Sequence, residues 1–130
     1  MAREYLLREG LKPDLIVKTG SPMDEVLAFY ADKINHSDVL TRLNVAEDKF
    51  FLVSVHREEN VDSERNIRRY VQVLGAIAEK FQLPIIVSTH PRTRKKIDSM
   101  QLTFHPLVQL LKPLGFSDYV KLQTAAKVVL

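Results

Sequence analysis

The sequence holds no cysteine, which removes disulfide scaffolds, cysteine-ligated zinc, iron–sulfur clusters and thiol nucleophiles from consideration. Glycine is scarce: Gly10, Gly20, Gly75 and Gly115 are the only four, where an average chain of this length carries about nine. They lie too far apart for a G-x-G-x-x-G loop or a P-loop, so an ordinary dinucleotide-binding or Walker-type site is excluded. No stretch approaches the roughly 18 charge-free apolar residues of a spanning helix. The opening Met1-Ala2-Arg3-Glu4-Tyr5 lacks the apolar core of a secretory signal, and Glu4 and Glu9 speak against a transit peptide. The expected compartment is therefore the cytoplasm, with no membrane partner. Neither sign of charge dominates. Nineteen Lys and Arg face 16 Asp and Glu, a net of +3 that is too mild to point to nucleic acid.

What remains is the composition of an ordinary globular domain, 45% hydrophobic and 27% charged, in a chain long enough to bury one core. The kinds of element alternate. Leu15-Ile16-Val17 reads as a short strand running into Thr19-Gly20-Ser21-Pro22, where Ser21 can cap a helix carrying Val26, Leu27, Tyr30, Ala31 and Ile34. A shorter helix is expected from Ser37 to Val45. Phe50 to Val55 and Pro84 to Thr89 read as strands buried on both faces, because they are continuous β-branched and aromatic runs. Between them Ile67, Tyr70, Val71, Leu74, Ile77, Ala78 and Phe81 form one helical stripe starting near Ser63. A basic helix through Lys95 to Ile97, a strand over Val108 to Leu111, a helix capped by Ser117 and a strand begun at Lys127 complete the order. This alternation predicts an α/β fold with a parallel sheet covered by helices on both faces.

Right-handed crossovers bring every strand's C-terminal end to one edge, the edge where open α/β sheets bind ligands. Two of the four histidines follow a buried strand directly, and each has an arginine beside it or one residue beyond. His56 can act there as acid or base, with Arg57 on a phosphate and Glu58 or Glu59 binding sugar hydroxyls or orienting His56; the alternative is a solvated strand end whose histidine caps a carbonyl. His90 and Arg92 offer a second anion contact, or else a helix-start turn stiffened by Pro91. Leu114-Gly115-Phe116 can approach a flat base through its backbone, with Gly115 permitting an unusual dihedral, or can be an ordinary loop. The run Arg92, Arg94, Lys95 and Lys96 has no interleaved aromatics and reads as a solvated face rather than a nucleic-acid surface. His36 and His105 read as surface residues. No H-x-x-x-H or H-E-x-x-H spacing occurs, so neither a metal nor a cofactor is expected.

Lys18-Thr19-Gly20-Ser21-Pro22, Ser54-Val55-His56-Arg57-Glu58-Glu59-Asn60-Val61, Thr89-His90-Pro91-Arg92-Thr93-Arg94 and Pro113-Leu114-Gly115-Phe116 together resemble the non-hydrolysing UDP-N-acetylglucosamine 2-epimerase family. The H-R-E-E-N-V form is most similar to the branch making capsule and O-antigen sugars, which includes the enzyme producing UDP-N-acetyl-L-fucosamine. The resemblance implies two Rossmann-like domains in a GT-B arrangement, and a reaction that inverts C2 of a UDP-2-acetamido sugar by eliminating UDP and adding it back. It implies His56 as the catalytic residue, with Arg57, Glu58, His90, Arg92, Leu114, Gly115 and Phe116 binding substrate. It further implies that residues 1–45 are a connecting segment, and that 46–130 are part of a C-terminal nucleotide-binding domain. The family's amino-terminal domain and its S-D-S-G-x-x-x-E segment have no counterpart in these 130 residues, so the chain is expected to be a piece of a larger enzyme and inactive alone. A homo-oligomer is expected. The other classes left open are a GT-B glycosyltransferase domain and a non-catalytic module that uses its basic helix on an acidic partner.

Overall fold

The computed structural model describes residues 2–54 and 63–130. The chain falls into two compact units, one ending at Asp32 and one spanning Lys33–Leu130. The first contains helix α1 (Ala2–Arg8), a 3-10 turn (Pro13–Leu15) and most of helix α2 (Met23–Asn35). Ser21 Oγ accepts a hydrogen bond from the Met23 amide at 3.3 Å, and Asp24 and Glu25 fall in the first turn, as the helix dipole favours. The strand expected over Leu15 to Val17 does not form. Pro13 starts a 3-10 turn that ends at Leu15, which is 74% exposed, and among the described residues no neighbouring strand supplies the ladder that three apolar residues need. Thr19-Gly20-Ser21-Pro22 is therefore not a strand end.

The second unit holds α3 (Val39–Arg42), β1 (Phe51–Ser54), α4 (Glu64–Phe81), β2 (Ile85–Ser88), α5 (Pro91–Ser99), β3 (Val108–Leu111), α6 (Phe116–Ala125) and β4 (Val128–Val129). The expected helix from Ser37 to Val45 shrinks to the single turn α3, because Asn44 takes a positive φ of 53° and ends it. The sheet order is β3-β2-β1-β4, all parallel, with Phe51 opposite Ile85 and Val128, and Ile85 opposite Val108. Consecutive strands step the same way from β1 to β3, so right-handed crossovers put α4 and α5 on one face, while the return to β4 puts α6 on the other.

Two apolar layers follow from the alternation of side chains along the strands. Phe51, Val53, Ile85, Val87 and Val108 pack with Leu74 and Ala78 of α4. Phe50, Leu52 and Ile86 pack on the opposite face with Val39, Leu122 and Ala125. Helix α4 is entered at Ser63, whose hydroxyl accepts from the Asn66 amide at 3.1 Å, and it is closed by Gln82 in the left-handed conformation. The stripe predicted for it is seen, although Phe81 stays half exposed at the helix end with its ring edge-on to Phe51.

Neighbouring positions on α4 give a direct test of this layering. Leu74 is 2% exposed and Val73 is 56% exposed. Leu74→Ala is expected to cost about 2–5 kcal/mol in denaturant unfolding, through lost burial and a residual cavity. Val73→Ala is expected to stay within about 0.5 kcal/mol.

Candidate functional site

The parallel ladder ends at Ser54, Ser88 and Leu111, which lie along one edge of the sheet. His56, Arg57 and Glu58, expected to follow β1 there, lie outside the described residues. The other two exits are locked together. Thr89 is buried, and both its amide (3.0 Å) and its hydroxyl (2.7 Å) donate to the Leu111 carbonyl, so β2 and β3 end in step. Thr89 and Lys112 thus leave the sheet side by side, and His90 follows.

His90 is the N-cap of α5. Its backbone is extended, and its Nδ1 accepts from the Arg92 amide at 3.3 Å, with Pro91 at the first helical position. Using Nδ1 as the acceptor leaves Nε2 as the donor of the ring. Arg92 is exposed in the first turn. Arg94 instead ties α5 to β3, because its Nε pairs with Asp98 at 3.0 Å while its Nη1 donates to the Leu110 carbonyl at 3.3 Å.

After β3, Leu114 packs against the second apolar layer, and Gly115 caps α6. The capping residue is Gly115 and not Ser117, which lies inside the helix. Gly115 also needs no special dihedral: φ −63° and ψ 159° are the extended values that any N-cap residue adopts. A Cβ there would meet no atom of the described residues within 4 Å, so none of them covers the backbone on that side. Phe116 follows, 40% exposed, at the first position of the helix.

Sequence reasoning missed what holds this loop. Asp118, in the first turn of α6, accepts from Ser37 Oγ at 2.6 Å and pairs with the Arg42 guanidinium, which also reaches Asp38 at 2.7 Å. The hydrogen bond from Ser37, then that from Arg42, lowers the Asp118 carboxyl below its ordinary pKa. Its partners stand 81 and 76 residues away, so the only local signal was an acid placed where the α6 dipole favours one.

Elsewhere, Ser54 Oγ and the Tyr70 hydroxyl are buried with no hydrogen-bond partner among the described residues, and burial raises the Tyr70 phenol above its usual range. His105 is half-buried, and its Nδ1 accepts from the Leu107 amide at 3.2 Å, so it is a turn residue rather than a surface one. Among the described residues no three His, Asp or Glu are grouped so as to hold a metal ion, and no helix is long and apolar enough to cross a membrane.

A family model for UDP-N-acetylglucosamine 2-epimerase matches residues 1–130. The UDP-N-acetylglucosamine 2-epimerase of Methanocaldococcus jannaschii is 28% identical over 100% of this chain and 37% of its own length. A structure of the epimerase from that organism in complex with UDP-GlcNAc and UDP superposes with a TM-score of 0.78 at 26% identity, over 98% of this chain and 37% of that one. A UDP-N-acetylglucosamine 2-epimerase structure from Rickettsia bellii gives 0.74 at 35% identity, covering 98% and 34%. The UDP-2,3-diacetamido-2,3-dideoxy-D-glucuronate 2-epimerase of Pseudomonas aeruginosa is 29% identical, over 100% of this chain and 35% of its length. The parallel α/β fold is that of these GT-B-like enzymes. The chain spans just over a third of the length of these curated relatives.

The Asp118 contacts set a pH dependence. A carboxyl whose pKa is lowered on folding contributes stability that is complete above its unfolded value and is lost as pH falls through the folded one. Acid unfolding is therefore expected to steepen below the ordinary aspartate value of 3.8, and Asp118→Asn is expected to flatten that part of the profile. Unfolding midpoints measured from pH 6 downward would check this, and identical profiles would refute it.

Proposed function

The chain belongs to the UDP-N-acetylglucosamine 2-epimerase family, and from that premise we propose that it supplies the UDP-facing part of an enzyme inverting C2 of a UDP-2-acetamido sugar. The observation that carries this reading is the family match along the entire chain. The reaction removes the C2 proton and eliminates UDP from C1 to leave a glycal, then returns UDP to C1 and a proton to the opposite face of C2. Negative charge grows on the departing phosphate, so the site must offer acidic or cationic groups there. His56 is assigned the proton transfer to or from UDP, and Arg57 and Glu58 the binding of nucleotide-sugar groups.

His90 and Arg92 are assigned a second anion contact. Their position at the start of α5 supports this, because backbone N–H groups and the dipole favour negative charge there. Leu114, Gly115 and Phe116 are assigned the uracil. The uncovered backbone at Gly115 and the partly exposed ring beside it support that role. On this reading residues 1–45 connect to the rest of the enzyme, and 46–130 form part of its nucleotide-binding domain. The H-R-E-E-N-V motif supports a capsular or O-antigen product, and the exposed Val128, Val129 and Leu130 on the edge strand support self-association.

Titrating the chain with UDP while recording amide NMR spectra tests the assignment. Signals of His90, Leu114, Gly115 and Phe116 are expected to shift, and a dispersed spectrum indifferent to UDP would refute it. Because the chain spans just over a third of its curated relatives, it is expected not to interconvert UDP-2-acetamido sugars by itself. Detectable epimerisation by the purified chain would overturn that expectation.

A further inference from the structure

Helix α6 starts at Gly115 with no side-chain cap. Leu114 and Tyr119, on either side of this start, pack against the second apolar layer. Apolar contacts have no direction. They hold the segment on the sheet, but they leave open how the backbone between them is turned. Hydrogen bonds to charged groups do set direction, because they are short and depend on angle.

Asp118 supplies such bonds from the first turn of α6, into which Gly115 and Phe116 lead. Its Oδ1 accepts from Ser37 Oγ at 2.6 Å, and its Oδ2 takes the Arg42 guanidinium, so each oxygen has a different donor. Both donors are themselves held. Ser37 Oγ also accepts from the amide of Val39 at 3.3 Å, and Val39 is fully buried in the same apolar layer. Arg42 Nε donates to Asp38 at 2.7 Å, so the guanidinium bridges two carboxylates. Arg42 is half exposed, and a salt bridge in that setting adds little stability. Its effect is on orientation, since a carboxylate bound at both oxygens fixes the helical turn that carries it.

We infer that Asp118, held by Ser37 and Arg42, is a positioning residue that presets the backbone of Gly115 and Phe116 to tell uracil from cytosine. The inference rests on the reading of this segment as the uracil contact. Uracil presents a carbonyl acceptor at C4 where cytosine presents an amino donor, and the donor at N3 is reversed as well. Hydrogen-bonding groups fixed in place reject the mismatched base, because they are left unpaired against it. That rejection requires the groups to be held before the ligand arrives.

The test is calorimetric binding of UDP and of CDP to the purified chain and its variants, with circular dichroism to check folding. Ribose and diphosphate are common to both ligands, so the ratio of the two Kd values reports on the base alone. The unmodified chain is expected to prefer UDP. Asp118→Asn turns one carboxylate oxygen into an amide nitrogen that faces a donor, and Arg42→Gln removes the guanidinium at a half-exposed position that the fold tolerates. Each is expected to weaken UDP about tenfold and CDP by less than about twofold, the loss of one well-placed hydrogen bond. The double variant is expected to lose no more than either alone, because both break one contact. Arg42→Lys keeps a cation for Asp118 and is expected to retain most of the preference. Leu74→Ala, in the opposite apolar layer, is expected to lower stability and leave the ratio unchanged. A ratio unmoved by Asp118→Asn and Arg42→Gln would overturn the inference, as would equal losses for both nucleotides or the same fall in Leu74→Ala. An unmodified chain that binds neither nucleotide, or both alike, would instead refute the uracil assignment, and the positioning role with it.

Discussion

Because β1, β2 and β3 run parallel and in register, each connection between them must cross back over the sheet, and every strand must release its chain at the same edge. That constraint makes a site possible from residues far apart in sequence. The segments carrying His90 and Gly115 leave the same edge, because Thr89 places two hydrogen bonds on the Leu111 carbonyl and holds two strand ends level. The apolar layers on either face supply the stability that keeps the ladder in this register, since a one-residue slip would turn Phe51 and Val53 away from α4.

On this frame the two helix starts at the edge are built differently. Helix α5 uses a histidine cap and a proline, and a salt-bridged arginine ties it to β3. Helix α6 has no side-chain cap, and its first turn is held by Asp118 through Ser37 and Arg42. The loop that carries Gly115 is therefore fixed through the start of α6, while no described residue lies within 4 Å of where a Gly115 Cβ would stand.

The long elements are legible in the sequence because their periodicity is strong. The stripe of α4 and the β-branched runs of β1 and β2 admit one reading each. Legibility fails where a local pattern needs a distant partner. Leu15-Ile16-Val17 has strand-like residues but no neighbour to pair with, and it ends as a turn and an extended stretch. Ser117 is as good a capping residue as Ser63 by composition. The chain nevertheless enters α6 two residues earlier, at Gly115, where the extended conformation is already set.

The order of elements from β1 onward, the class of fold and the residue types at the ends of β2 and β3 were determined by the sequence alone, because hydrophobic period and turn chemistry are local properties. Tertiary structure decided which of those ends share an edge, that Arg94 ties α5 to β3, and how the loop before α6 is held. These depend on contacts such as Ser37 to Asp118 and Thr89 to Leu111, made between residues that only the packed sheet and its crossovers bring within hydrogen-bond reach.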